Sequence, residues 1–442
     1  MAGCQCPEEG VLLGYSNTRS VAEAERAVLV GVETGATHGI ATADSLAELD
    51  ALAQSAGAAV IGQIQQKLRA VDPRTFIGRG KTADVRDMAH RQGATLAIFD
   101  DALSPVQARN LEQELGMRVI DRSQLILDIF AQRARSLEGK LQVEIAQLSY
   151  LQPRLTRQWA HLSRQTGGSG AAGGRIGTRG PGETQLEVDR RRLRERLTRL
   201  RTRLHQVERT RSLQRQRRLE VPWPTVALVG YTNSGKSTLM NALTEAGVEA
   251  AERPFSTLDP TIRRLKLPGK VQVMLADTVG FIHRLPHLLV EAFKATLEEV
   301  RVADLLLHVV DASSPLADER IAVVDHVLEE IGAGGTPRLM VLNKADLIEH
   351  APYGAHAFDA IEVSALKRMG LERLLGSIAR SFSSLREEIA VKLPVMRGDL
   401  IAMARRDGEI LSEEYANGVV SMRALVSAAV AGRLRKAALG VA

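Results

Sequence analysis

Between the apolar β-run Thr225–Val229 and a helix-forming stretch stands the octapeptide Gly230-Tyr231-Thr232-Asn233-Ser234-Gly235-Lys236-Ser237, and no other feature narrows the fold so far. Its glycines let backbone N–H groups wrap a phosphate, Lys236 reaches the outer phosphates, and the Ser237 hydroxyl suits Mg2+. Thr238 continues the helix that the loop enters. Such a loop works only where a strand hands the chain to a helix N-terminus. The surrounding residues are therefore committed to a parallel α/β sheet.

Further segments fall where such a sheet needs them. Asp277-Thr278-Val279-Gly280 follows the apolar run Val271–Ala276, which places Asp277 near Mg2+ and the Gly280 amide near the terminal phosphate. Asn343-Lys344-Ala345-Asp346 follows the β-run Arg338–Leu342, and Ser364-Ala365-Leu366 follows Ala360–Val363. A carboxylate at Asp346 can accept both N1–H and N2–H of guanine, a donor pair that adenine lacks, so the motif selects GTP. Taken singly, Asp277 could be an N-cap and Asn343 a turn former. Four motifs in the required order argue against both. In Ras-like enzymes a glutamine after Asp-x-x-Gly orients the attacking water; here that position is Phe281, which cannot. No residue is assigned as catalytic from the sequence, and slow intrinsic hydrolysis is expected.

The flanking regions divide the chain. Residues 1–26 read as a disordered tail that holds the only cysteines, Cys4 and Cys6, so disulfides cannot staple the body. From 27 to 121, β-runs Ala27–Val32, Ala58–Ile64, Thr95–Phe99 and Arg118–Ile120 alternate with helices over 43–56, 80–92 and 104–115, which predicts a parallel α/β subdomain. Gly78-Arg79-Gly80-Lys81 is read as turn chemistry at a helix entry. Residues 122–220 read as a long helical hairpin. Leu137, Leu141, Leu148, Leu151 and Leu155 form one stripe, with Glu144 at a seam position, and Leu193, Leu197, Leu200, Leu204 and Val207 form another. Eight glycines among residues 167–182, with Arg175 and Arg179, make a basic tip loop. The GTPase domain spans 221–383. A small α+β domain occupies 384–442, with strands Ile389–Leu393, Ile410–Tyr415 and Val419–Leu425 around a helix Asp399–Arg406.

Charge sharpens this division. The 442 residues carry 58 Lys+Arg against 52 Asp+Glu, and residues 186–220 alone hold 13 against 5. One-signed charge on a rod, nearly without aromatics, suits phosphates of structured nucleic acid better than stacking on single strands. Peripheral association with a membrane surface is the competing reading, but the apolar stripe is needed to hold the hairpin together. No apolar run is long enough to span a bilayer and no signal pattern opens the chain, so a cytoplasmic protein without an integral membrane segment is expected.

Residues 225–383 resemble a translation-factor-related GTPase domain, and the whole chain from about Ala27 to Val430 resembles the HflX family of ribosome-associated GTPases. The resemblance is carried by Gly180-Pro181-Gly182-Glu183-Thr184-Gln185-Leu186-Glu187 with Asp189-Arg190-Arg191, by the phosphate loop, by Phe255-Ser256-Thr257-Leu258-Asp259-Pro260-Thr261 and by Asp277 to Phe281. It implies a monomer that binds the large ribosomal subunit and its RNA, and splits or rescues stalled ribosomes under stress. It also implies Thr257 as the switch threonine on Mg2+, with Thr261 close by, and Arg175 and Arg179 as RNA contacts. Asn233 matches the potassium ligand of related GTPases; the plainer reading is that it shapes the loop. The alternative function is a nucleotide-gated RNA- or ribosome-binding switch, or an assembly factor, with hydrolysis only as a timer.

Overall fold

The computed structural model describes residues 24–34, 41–165, 181–219, 223–244, 254–255, 261–284, 294–348, 360–382 and 386–438. The N-terminal unit runs β1 (Arg26–Thr34), α1 (Thr42–Ala56), β2 (Ala59–Leu68), α2 (Arg79–Gln92), β3 (Leu96–Phe99), α3 (Pro105–Leu115), β4 (Arg118–Asp121). Its sheet is all-parallel in the order β2-β1-β3-β4. Both faces are covered, so the strands read as apolar runs rather than alternating ones. Val28, Val30, Phe99 and Val119 pack to one side, and Leu29, Ile98 and Ile120 to the other. Local chemistry agrees with the element ends: Ser104 and Gln107 form a capping box, Pro105 opens α3, and Gly116 closes it in the left-handed conformation.

The hairpin reading needs one correction. Its first twelve residues form a separate helix, α4 (Arg122–Arg133), which buries Leu125, Ile126, Ile129 and Phe130 in the core shared with Leu46, Leu49 and Leu52 of α1. The cause is local: Asp121 accepts a hydrogen bond from Gln124 N at 2.9 Å, so β4 passes directly into a helix that lies back on the sheet. The two long arms are α5 (Leu137–Gln165) and α6 (Pro181–Leu219), which pack along one another. Between residues 190 and 207 of α6, only Leu193, Leu197, Leu200, Leu204 and Val207 are not exposed, where a residue's burial is described. Glu144 accepts from Arg196 Nε at 2.9 Å across the arms, and Leu137 is exposed. The middle of α5 is fixed to the sheet. Asp121 accepts from Tyr150 OH at 2.6 Å, from Arg154 Nη2 at 2.9 Å and from Leu103 N at 3.1 Å, while the Arg154 guanidinium lies 3.6 Å from the centre of the Tyr150 ring.

The second sheet runs β5 (Thr225–Val229), α7 (Lys236–Thr244), β6 (Thr261–Lys266), β7 (Gln272–Asp277), α8 (Lys294–Arg301), β8 (Leu305–Asp311), α9 (Ala317–Glu330), β9 (Arg338–Asn343), β10 (Ile361–Glu362), α10 (Leu371–Ser381). Its order is β10-β9-β8-β5-β7-β6, parallel except for the antiparallel edge strand β6. This puts the carboxyl ends of β5, β7 and β9 along one edge of the sheet, with β8 between β5 and β9. The two α/β units share a core: the Phe130 and Phe255 rings meet edge-on at 4.5 Å, and Ser55 Oγ donates to Pro254 O at 3.3 Å.

The C-terminal unit is an antiparallel sheet in the order β11-β13-β12, made of β11 (Arg386–Pro394), β12 (Glu409–Ala416) and β13 (Val419–Ser427), with α11 (Gly398–Asp407). A final helix, α12 (Ala428–Ala437), was not expected from the sequence. Its alanines favour helix, and it buries Val430, Ala431 and Leu434 against the sheet.

Candidate active site

The phosphate loop closes in a form that fixes its residue types. Gly235 has φ 88°, and a Cβ there would lie 2.2 Å from Asn343 Nδ2. Lys236 is buried, and its Nζ donates to the carbonyls of Gly230 at 3.0 Å and Tyr231 at 2.8 Å. Burial pushes its ammonium down to about 8, with the Asp277 charge acting in the opposite sense. Ser237 Oγ donates to Asp277 Oδ2 at 2.6 Å, joining the loop to the end of β7. This pair of hard oxygen donors fits Mg2+. Gly280 packs so near that a Cβ would stand 3.0 Å from Lys236 Nζ.

The base end is braced by Asn343. Its Nδ2 donates to Ser234 O at 2.9 Å and its Oδ1 accepts from Ala365 N at 3.1 Å, so the side chain ties three motifs together. Lys344, at φ 64°, pairs with Asp311 at 2.6 Å. The Ser364 hydroxyl, with a smaller contribution from Lys367, holds the Asp346 carboxyl below its usual range. It is therefore ionised and acceptor-only at neutral pH.

These motifs enclose one cleft of about 490 Å³. Of the residues expected at the site, Thr232, Asn233, Gly235, Lys236, Ser237, Thr238, Thr278, Gly280, Asn343, Lys344, Asp346, Ser364, Ala365 and Leu366 line it. Asn233 is exposed at φ 60°, a left-handed conformation that asparagine tolerates well. Gly230, Ser234 and Asp277 lie behind the surface, and the Thr278 hydroxyl donates to Leu228 O at 2.6 Å. Thr257, Arg175 and Arg179 lie outside the described residues. Two lining residues were missed, Phe255 and Leu347. Leu347 is 65% exposed, and the available signal was a large apolar side chain immediately after the carboxylate that meets the base.

Two expected site residues turn away from the cleft. Val279 is buried in the core between the α/β units. Tyr231 is also buried there; its hydroxyl donates to Glu48 Oε1 of α1 at 2.5 Å and accepts from His283 N at 2.8 Å. Burial and the Glu48 carboxylate both push the phenol upward, so it stays a donor. Behind it Arg122, 2% exposed, donates to Glu48 and, at 2.7 Å, to Asp100. Arg284 reaches Asp101 at 2.6 Å. Phe281 is buried; its N–H donates to Gly230 O at 3.1 Å and its carbonyl accepts from Thr232 N at 2.7 Å. Its ring cannot orient water. The sequence held a signal for this junction: charged pairs, Asp100-Asp101 and Asp121-Arg122, stand at the carboxyl ends of apolar strands, where α/β sheets form crevices.

Over 411 residues the chain is 46% identical to GTPase HflX of Caldanaerobacter subterraneus subsp. tengcongensis, covering 93% of each sequence. The chain belongs to the HflX family of GTPases. HflX of Escherichia coli strain K12 is 48% identical over 365 residues, covering 81% of this chain and 83% of its own. Three family models match in succession: GTP-binding GTPase N-terminal over 43–131, GTP-binding GTPase Middle Region over 133–218 and 50S ribosome-binding GTPase over 225–344. A GTP-binding protein of Sulfolobus solfataricus in complex with GDP is 26% identical, with TM-score 0.43, covering 82% of this chain and 99% of that one. As an HflX-family member the protein binds and hydrolyses GTP through a P-loop domain. No helix among the described residues is long and apolar enough to cross a membrane.

Proposed function

We propose that the protein is a monomeric cytoplasmic GTPase that binds the large ribosomal subunit through its RNA and splits or rescues stalled ribosomes. The observation that carries this reading is the strongly basic arm α6, paired with α5, whose middle is bolted through Asp121 to the sheet that packs on the nucleotide domain. A rigid attachment lets nucleotide state and RNA contact bias one another. The description of the matched GTPase model, a 50S ribosome-binding GTPase, supports the same partner.

In this reading Asp346 takes N1–H and N2–H of guanine, Lys236 leaves its carbonyls for the β- and γ-phosphates, and the Gly280 amide faces the γ-phosphate. Ser237, Asp277 and Thr257 hold Mg2+, which when bound neutralises charge that develops as GTP becomes GDP and phosphate. Phe281, which follows Gly280, cannot position water, so in this reading the ribosome supplies that part of catalysis. Asn233 is the proposed potassium ligand; equal hydrolysis in K+ and Na+ would leave it as a loop-shaping residue only. Arg175 and Arg179 are the proposed tip contacts.

Sedimentation of intact ribosomes with the protein and a nonhydrolysable GTP analogue tests the reading. Separation into subunits is expected. Binding without separation favours the gated switch or assembly factor, and absence of binding overturns the ribosomal reading altogether.

A further inference from the structure

The turn after Ser364 carries a second charged group to the base end of the cleft. Ser364 N donates to Met369 O at 3.1 Å and Met369 N returns the bond to Ser364 O at 3.0 Å. Inside the turn, Lys367 N donates to Ser364 Oγ at 3.1 Å. Closing so short a turn leaves Arg368 at φ 56° and Gly370 at φ 71°, where a Cβ would lie 2.3 Å from Glu362 O. Left-handed backbone at a non-glycine residue persists only where the surroundings impose it. The imposed shape carries Lys367 Nζ to 3.4 Å from Asp346 Oδ2.

The two partners differ in their freedom. The Lys367 side chain is 58% exposed and can swing into solvent, whereas that of Asp346 is 7% exposed and stays in place. The Ser364 hydroxyl donates to the Asp346 carboxylate and the ammonium stands at its Oδ2. Recognition of guanine, as read above for Asp346, calls on both oxygens, one for N1–H and one for N2–H. Base N–H and ammonium therefore meet at Oδ2, where two positively polarised donors crowded on one oxygen repel each other.

We propose that Lys367 sets how fast guanine nucleotides leave the cleft, by competing with the base for Oδ2 of Asp346. The proposal rests on the reading of Asp346 as the guanine acceptor. Because Lys367 holds the turn through its backbone N–H, removing its side chain leaves Ser364 and Asp346 where they are.

The test is stopped-flow release of a fluorescent GDP from the full chain, comparing wild type, Lys367→Ala and Asp346→Asn, each first shown to melt as a folded protein. Lys367→Ala is expected to slow release by about two- to fivefold at low salt, the range open to an exposed ion pair. At 1 M salt, where screening acts over about 3 Å, the two rates should converge. Unchanged or faster release in Lys367→Ala overturns the proposal, and so does a difference that persists at 1 M salt, which assigns the side chain to turn shape. Asp346→Asn separates the two levels. If it keeps its preference for guanosine over xanthosine nucleotides, the base-reading assignment itself falls. If it switches to xanthosine and Lys367→Ala still fails to slow release, only the role of Lys367 falls.

Discussion

Two parallel sheets in this molecule form a crevice at the carboxyl ends of their strands, and they fill it differently. In the nucleotide domain the loops after β5, β7 and β9 stand apart around a cleft of about 490 Å³. In the N-terminal unit the corresponding ends of β3 and β4 deliver Asp100 and Arg122, and α1 adds Glu48. There the crevice is filled by protein, by Tyr231 and Arg284 of the neighbouring domain. An open α/β sheet binds ligands where its strand order reverses. The comparison shows that this rule locates a polar crevice without saying whether a small molecule or another domain occupies it.

The contrast can be broken from either side. The largest effect is expected at the junction, where Arg122→Ala strands Asp100 and Glu48 in a buried site. Breaking a buried pair in this way costs about 3–5 kcal/mol, visible as earlier melting and as faster proteolysis of the N-terminal unit. A variant as stable as wild type would mean that the junction is looser than its geometry. Next comes the cleft. Lys236→Ala should weaken GTP binding on the order of a hundredfold, since charge-assisted bonds to phosphate are lost, while the melting temperature moves little. The smallest effect sharpens the border between the two regions. Tyr231→Phe removes the hydroxyl that joins Glu48 and His283 N, for a loss of about 1–2 kcal/mol in stability. GTP affinity measured by titration should stay within about twofold, because the side chain does not face the cleft. A large loss of affinity would return Tyr231 to the nucleotide site.

Legibility tracked the range of the interactions. The β-runs Thr225–Val229 and Arg338–Leu342 matched their strands closely because burial on both faces writes a continuous apolar run into the sequence. The phosphate loop was legible because its chemistry is local, within eight residues. Asn343 was placed at the site, but its use was not: the fold spends both ends of the amide on Ser234 O and Ala365 N. Tyr231 shows the same limit more strongly. Its place in the loop was plain, but a Glu48 partner 183 residues away leaves no periodic or spacing signal. The helix α4 was merged with the hairpin because an apolar helix face reads alike whether it meets a sheet or another helix.

The sequence by itself determined the nucleotide chemistry, the parallel sheets and the concentration of excess basic charge in one arm, because each depends on residue type at short spacing. Only the tertiary structure decided which polar groups stand toward a ligand and which toward another domain. Strand order and domain packing bring together Arg122 with Glu48 and Asp100, Tyr231 with Glu48, and Ser237 with Asp277. In a buried, low-dielectric setting each such group must find a partner at hydrogen-bond distance. Which partner it finds is set by three-dimensional proximity, and that proximity follows from how the whole chain closes.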